Sequence, residues 1–242
     1  MITLRRVAVG AVVGVAACIV TAVAPALAHA QMVGYQPGDS PYRDFDEKGN
    51  LAVVGGYLFS PSIPGNVGPQ SAPMIGLRYD YHIIGPAYIE GRWYHAFSER
   101  NVINPDLPSV DRTIQKNLGV GVNLIDVGLA LNLTGMRTTH SLVPVVNLNV
   151  GIASDLGAPH DVGGYRFGTN FAMSAGLGMR YIPRGSRFKF RVDIGDYLYS
   201  SHLPDSYRDV TGGPPVVSTT QSLTPWRQHL ALTGGASFAL FR

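Results

Sequence analysis

The chain has 242 residues, with 19 Lys and Arg against 16 Asp and Glu, and a single cysteine. Charged residues make up 14% of it, against roughly 25% in ordinary soluble domains. The near balance of charge leaves no basic footprint for nucleic acid, and one cysteine excludes a disulfide framework or a thiolate metal site.

In chain order, Arg5 and Arg6 precede an apolar stretch from Val7 to Val23, followed by Pro25 and an A-x-A site at Ala28-His29-Ala30. Together these read as a secretory signal peptide over residues 1–30. A second cleavage site follows Ala26-Leu27-Ala28. Val15-Ala16-Ala17-Cys18 is a degenerate lipobox, disfavoured because apolar residues continue to Leu27. Cleavage after Ala30 takes the basic count from 19 to 17 against 16 acids, a net charge near +1, and removes the only cysteine. Residues 31–50, rich in Pro, Asp and Gly and without periodicity, are expected to be a periplasmic leader, and residues 51–242 the folded part.

Two adjacent runs then alternate with period 2, the mark of a strand with two unlike faces. Ile75, Leu77, Tyr79, Tyr81 and Ile83 share one face of the first, and Gly76, Arg78, Asp80 and His82 the other. After a turn at Ile84-Gly85-Pro86, Ala87, Ile89, Gly91 and Trp93 face one way, and Tyr88, Glu90, Arg92 and Tyr94 the other. Eight strands are predicted: 51–59, 74–83, 87–97, 115–134, 144–152, 169–182, 187–198 and 227–241. Connections after the second, fourth and sixth are short. Those after the first, third, fifth and seventh are long and proline-rich, as in an up-and-down outer-membrane barrel with short periplasmic turns. The fourth strand changes apolar parity around Asp126, which predicts a bulge there rather than a hairpin.

Alternation alone fits either a lipocalin-like barrel with a greasy cavity or a barrel with lipid outside. The non-apolar faces decide, because they are too bland for a charged soluble coat: Gly119, Gly121, Asn123; Ala172, Ser174, Gly176, Gly178; and Thr233, Gly235, Ser237, Ala239. Small residues suit a narrow lumen filled by side chains. No stretch beyond the leader is long and apolar enough for a spanning helix, so the chain is expected to be an all-β, eight-stranded antiparallel transmembrane barrel in the outer membrane of a diderm bacterium.

Residues 50 to 242 resemble the family of eight-stranded outer-membrane β-barrels of the OmpA-like transmembrane type. The resemblance is carried most specifically by Leu177-Gly178-Met179-Arg180-Tyr181, the turn Pro183-Arg184-Gly185-Ser186, then Phe190-Arg191-Val192-Asp193-Ile194 with Asp196-Tyr197 and a long loop before the closing strand. It implies a non-catalytic barrel without cofactor, whose partners are outer-membrane lipid and the barrel-assembly machinery. Two departures follow. No peptidoglycan-binding domain follows the barrel, so an anchoring role is not implied. The family places an aromatic residue last as an assembly signal, whereas here Phe241 precedes Arg242.

The lumen charges Arg78, Asp80, Glu90, Arg92, Arg180, Lys189, Arg191 and Asp193 are expected to form a structural ion-pair network, since buried charges exist paired and eight strands leave room only for side chains. Across the first hairpin this pairs Arg78 with Glu90 or Asp80 with Arg92, directly or diagonally. Tyr79, Tyr81, Trp93, Phe97, Tyr181 and Tyr197 are expected in the aromatic girdles. The resulting reading is a structural or surface-interaction protein, not an enzyme. A narrow channel for small polar solutes is the alternative. A lipid-modifying enzyme using His95, Ser98 and Glu99 is weaker, as that spacing matches no motif, and His140-Ser141 and Ser201-His202 are weaker still. The last loop, 199–226, could meet an extracellular partner or be mobile.

Overall fold

The structure, a computed structural model, describes residues 40–208, 210 and 214–241. The expected signal peptide and its cleavage sites, Cys18, residues 31–39 and the side chain of Phe241 lie outside the described residues.

Ten strands form among the described residues: β1 (Tyr42–Asp44), β2 (Gly49–Phe59), β3 (Ala72–Ile84), β4 (Ala87–Ile103), β5 (Thr113–Asn132), β6 (Arg137–Thr139), β7 (Leu142–Ser154), β8 (Thr169–Tyr181), β9 (Phe188–Ser200) and β10 (Trp226–Phe241). Eight of them, all except β1 and β6, pair antiparallel in succession, and β10 returns to pair with β2, which closes the ring. No helix among the described residues is long and apolar enough to cross a membrane. Closure satisfies every strand edge, the condition for strands to span a bilayer.

The two faces separate as strand geometry requires. Outward residues such as Val53, Ile75, Val127, Leu148, Phe171 and Val192 are exposed, while the alternate positions are buried. A belt of large apolar side chains facing away from the ring is stable only against lipid.

Paired residues followed around the ring from Arg92 return displaced. Through β5, β7 and β8 the row passes Asp126, Gly151 and Ala172 and reaches Tyr199 on β9. Through β3, β2 and β10 it passes Arg78, Ala52 and Ser237 and reaches Lys189 on the same strand. The ten-residue offset from Lys189 to Tyr199 is the stagger of the barrel, which tilts its strands by roughly 35–45° from the axis.

The bulge expected at Asp126 is absent. The β4 and β5 pairing runs unbroken from Ala87↔Leu131 to Arg100↔Leu118, and the irregularity lies higher, between Arg100 and Val102. Apolar parity shifts at this point because Val122 and Leu124 face inward into an apolar upper lumen, while Asn123 faces out. Gly119 and Gly121, expected on the lumen face, share the outward parity of Asn123, and the His95 ring lies over Gly121.

Short turns close the periplasmic side. In the 182–187 turn Gly185 adopts φ 69°, a left-handed conformation that favours glycine. The turn between β5 and β7 instead contains β6, which pairs with β1. The described part of the expected leader is thus tied to the mouth of the barrel: Phe45 N–H donates to the Met136 carbonyl (3.1 Å) and His82 N–H to that of Lys48 (2.9 Å).

Candidate functional site

Where an open barrel would hold water, this one holds side chains in three layers. The lower layer is apolar: Tyr88, Ala130, Val143, Val145 and Ile182 are buried together, with Phe45 from the N-terminal segment and Met136 from the β5–β7 turn packed against them.

The middle layer is ionic and centres on Arg78, whose side chain is fully buried. Its Nε donates to Asp80 Oδ1 (2.7 Å), its Nη2 to Glu90, and its Nη1 lies 3.5 Å from Asp193 Oδ1. Asp80 Oδ2 also receives Arg180 Nη2 (3.1 Å) and Arg191 Nη1 (3.0 Å). Arg191 grips Asp193 through two bonds of 2.7 Å. In the first hairpin, like charges stand directly opposite, Arg78 against Arg92 and Asp80 against Glu90. That arrangement is unfavourable alone. The diagonal Arg78–Glu90 bond and the arginines of β8 and β9 offset it, whereas Asp80 and Arg92 are not bonded to each other.

Arg92 turns to a residue that the sequence pattern marks as a bulge rather than as a lumen charge. Asp126, its direct register partner on β5, accepts its Nε (2.6 Å) and Nη2 (2.8 Å). Arg92 also reaches Asn147 and Ser174, and its guanidinium stands 5.4 Å from the Tyr197 ring. Lys189, low on β9, pairs with Glu47 of the N-terminal segment and donates to Asn50. Five cations, Arg78, Arg92, Arg180, Lys189 and Arg191, therefore meet five anions, Glu47, Asp80, Glu90, Asp126 and Asp193. Glycine makes room for them: a Cβ on Gly178 would come within 2.2 Å of Asp193 Oδ1. A cavity of about 10 Å³ between Arg92, Tyr94, Asn147, Asp193, Tyr197 and Thr233 has the size of a single water molecule.

Tyr197 requires a correction. It was expected in the aromatic girdle, but it shares parity with Arg191 and Asp193 and points inward, 2% exposed. Tyr81, Trp93, Phe97 and Tyr181 face outward and are exposed, and Tyr79 faces outward half-buried.

The upper layer is aromatic and continues into the loops. The His229 ring stacks on Tyr199 with centroids 3.8 Å apart. Above them Ile63, Val67, Tyr165, Phe167, Leu203, Tyr207 and Val217 form one buried cluster drawn from three loops. Arg100 Nη1 binds Asp161 Oδ2 (2.8 Å) beneath Tyr165, and the amides of Val216 and Val217 both donate to the Tyr207 carbonyl (2.9 and 3.1 Å). The described part of the Pro-Gly-Ser-Thr loop, for which the sequence leaves mobility or partner binding open, packs into a cap over the barrel through Leu203, Tyr207 and Val217.

Burial raises the Tyr165 and Tyr207 phenols above their ordinary range. Neither hydroxyl has a hydrogen-bond partner among the described residues. A raised acid stabilises the folded cap fully below its unfolded pKa, roughly 10 for tyrosine, and that stability is lost as pH rises beyond it. The loops are expected to resist subtilisin at pH 8 and to become cleavable above about pH 10. Tyr165→Phe and Tyr207→Phe, which keep the packing and remove the titration, should extend resistance to higher pH. Equal alkaline sensitivity of both forms would count against this account.

The remaining candidates do not converge. Ser98 faces inward and donates to the Gln70 carbonyl (2.7 Å), while His95, on the same strand, faces outward and donates from Nδ1 to Asn123 Oδ1 (3.0 Å). Glu99 is exposed. His140 and Ser141 occupy a tight turn with φ 52° and 65°, and His202 Nδ1 bonds Asn170 Oδ1 (3.0 Å). No group of three or more potential metal ligands occurs among the described residues.

A closed eight-stranded ring, apolar outside and ionic within, with short turns at one mouth and long loops at the other, is an outer-membrane β-barrel, and the outer membrane is where the protein resides. No protein-family description and no curated protein matches the chain. Among solved structures, neisserial surface protein A matches at 9% identity over 83% of this chain and 98% of its own, with a TM-score of 0.45. The attachment invasion locus protein Ail of Yersinia pestis matches at 14% identity over 79% and 99%, with a TM-score of 0.36. A major outer membrane protein of Thermus thermophilus matches at 12% over 78% and 98%, also with 0.36. At these values the likeness carries no functional argument.

Proposed function

We propose that this barrel is a non-conducting, non-enzymatic outer-membrane protein that stiffens the envelope and presents a fixed surface outside the cell. The observation that carries this reading is the three-layered filling of the lumen: an apolar layer tied to the N-terminal segment, a balanced network of five cations and five anions, and an aromatic layer merging into the loop cap. A solute path would need these layers to part together, and breaking buried ion pairs is costly. The packed cap supports the surface role, because a preorganised surface binds with less loss of conformational freedom than mobile loops do. The opposed orientations of Ser98 and His95 support the non-enzymatic reading.

Planar-bilayer recording tests it. The purified chain is expected to give no stable single-channel steps. Reproducible steps whose size changes on substitution of Arg78 or Arg92 would overturn the proposal in favour of a narrow channel.

A further inference from the structure

Among the polar interruptions of the lipid-facing surface are two that the register places at one depth on opposite sides of the barrel. The first is Asp196 on β9, which has the outward parity of Ile194 and Leu198. It lies in a groove of about 540 Å³ lined by Leu129, Leu148, Met173, Ala175 and Leu198. The row Leu129, Leu148, Ala175, Asp196 passes from two leucines to smaller side chains, which leaves room for the groove. The second is His95 on β4, between the protruding Trp93 and Phe97, which are 40% and 52% exposed. Asn123 Oδ1 accepts from both Trp93 Nε1 (3.2 Å) and His95 Nδ1 (3.0 Å). A neutral ring that donates from Nδ1 has Nε2 as its acceptor.

Depth follows from the stagger. The row through Asp196 passes Ala175, Leu148 and Leu129 and meets β4 at Ile89. Because the stagger is ten residues, the same row taken around the other side returns to β4 ten residues higher, at the level of Glu99. The level of Asp196 on β4 is midway, at Tyr94, between Trp93 and His95. Strands β4 and β9 are four steps apart in either direction, so the two sites are diametrically opposed.

We propose that the occupant of the Asp196 groove is a second copy of this chain, which inserts its Trp93–His95–Phe97 face so that the Asp196 carboxyl meets His95 Nε2. A charged side chain on the lipid face is disfavoured. A carboxyl that donates to imidazole, or transfers its proton to it, forms a pair of no net charge in both cases. Each copy uses one face and offers the other, so the contact is head to tail and does not close on itself. The expected assembly is a row of barrels in the membrane plane.

The full-length protein, carrying cysteines at Ser200→Cys and Glu99→Cys, the next outward positions beyond the contact on β9 and β4, is tested with a bismaleimide cross-linker in outer membranes and in phospholipid vesicles. The only native cysteine, Cys18, lies in the expected signal peptide. Chains with both cysteines should give a ladder extending beyond dimers, and chains with either one alone should stay monomeric. Asp196→Ala should weaken the ladder roughly tenfold, as removal of one charge-assisted hydrogen bond does, and His95→Phe provides a second variant. The exchange of Asp196→His with His95→Asp should restore it. Heat-modifiable gel mobility verifies that each barrel is intact. No ladder in either membrane, a ladder indifferent to Asp196, or self-linking of the Ser200→Cys chain would each overturn the proposal, the last by showing a symmetric contact.

Discussion

Arg78→Ala is expected to destabilise the barrel by about 3–5 kcal/mol, the cost of breaking a buried ion pair from one side. Asp80, Glu90 and Asp193 would lose a shared partner whose side chain is wholly removed from solvent. Arg180 and Arg191 still cover Asp80, so the largest loss falls on Glu90, whose remaining cation, Arg92 Nη1, is 3.7 Å away. The temperature at which the folded form gives way to the slow-migrating unfolded form on unboiled gels should fall sharply. The double variant Arg78→Met, Glu90→Gln should recover much of the loss, because it removes the orphaned carboxylate and refills the volume. A double variant no more stable than Arg78→Ala would show that Arg78 acts through packing rather than charge.

Tyr207→Ala is expected to open the cap while leaving the membrane barrel closed. Tyr207 is wholly buried among Ile63, Val67, Tyr165, Leu203 and Val217, and truncating a buried aromatic residue costs about 3–5 kcal/mol. The cap is a small cluster with no ladder of its own, so a loss of that size exceeds what local packing supplies. Limited proteolysis should cleave within residues 201–225 in the variant and not in the wild type, with gel mobility of the folded barrel unchanged. Cleavage at the same rate in both would mean that the loops are not held by this cluster.

The faces of β3 and β4 were legible because period-2 alternation is local and each charge is separated from its fellows by one outward residue. Asp126 was not, although it has the same parity as Gly128 and Ala130. The inward Val122 and Leu124 belong to an apolar upper lumen and mimic an outward row, so the strand resembled two strands out of phase. Tyr197 could have been placed by counting from Asp193, but an aromatic residue near a strand end also suits a girdle, and composition favoured that place. Glu47 gives no signal, because its partner Lys189 lies far along the chain. The cap was hidden for a different reason: Tyr165, Tyr207 and Val217 are scattered among Pro, Gly, Ser and Thr without period, and only the closed ring brings their loops together.

The ten lumen charges are not spread evenly along the chain. The portion through β5 brings Glu47, Asp80, Glu90 and Asp126 against Arg78 and Arg92, a surplus of two negative charges. The portion from β7 onward brings Arg180, Lys189 and Arg191 against Asp193, a surplus of two positive ones. Neither half can enter an apolar medium in a neutral state, and each attracts the other. Electrostatics therefore favours the two halves meeting around one lumen over insertion of either as a partial sheet.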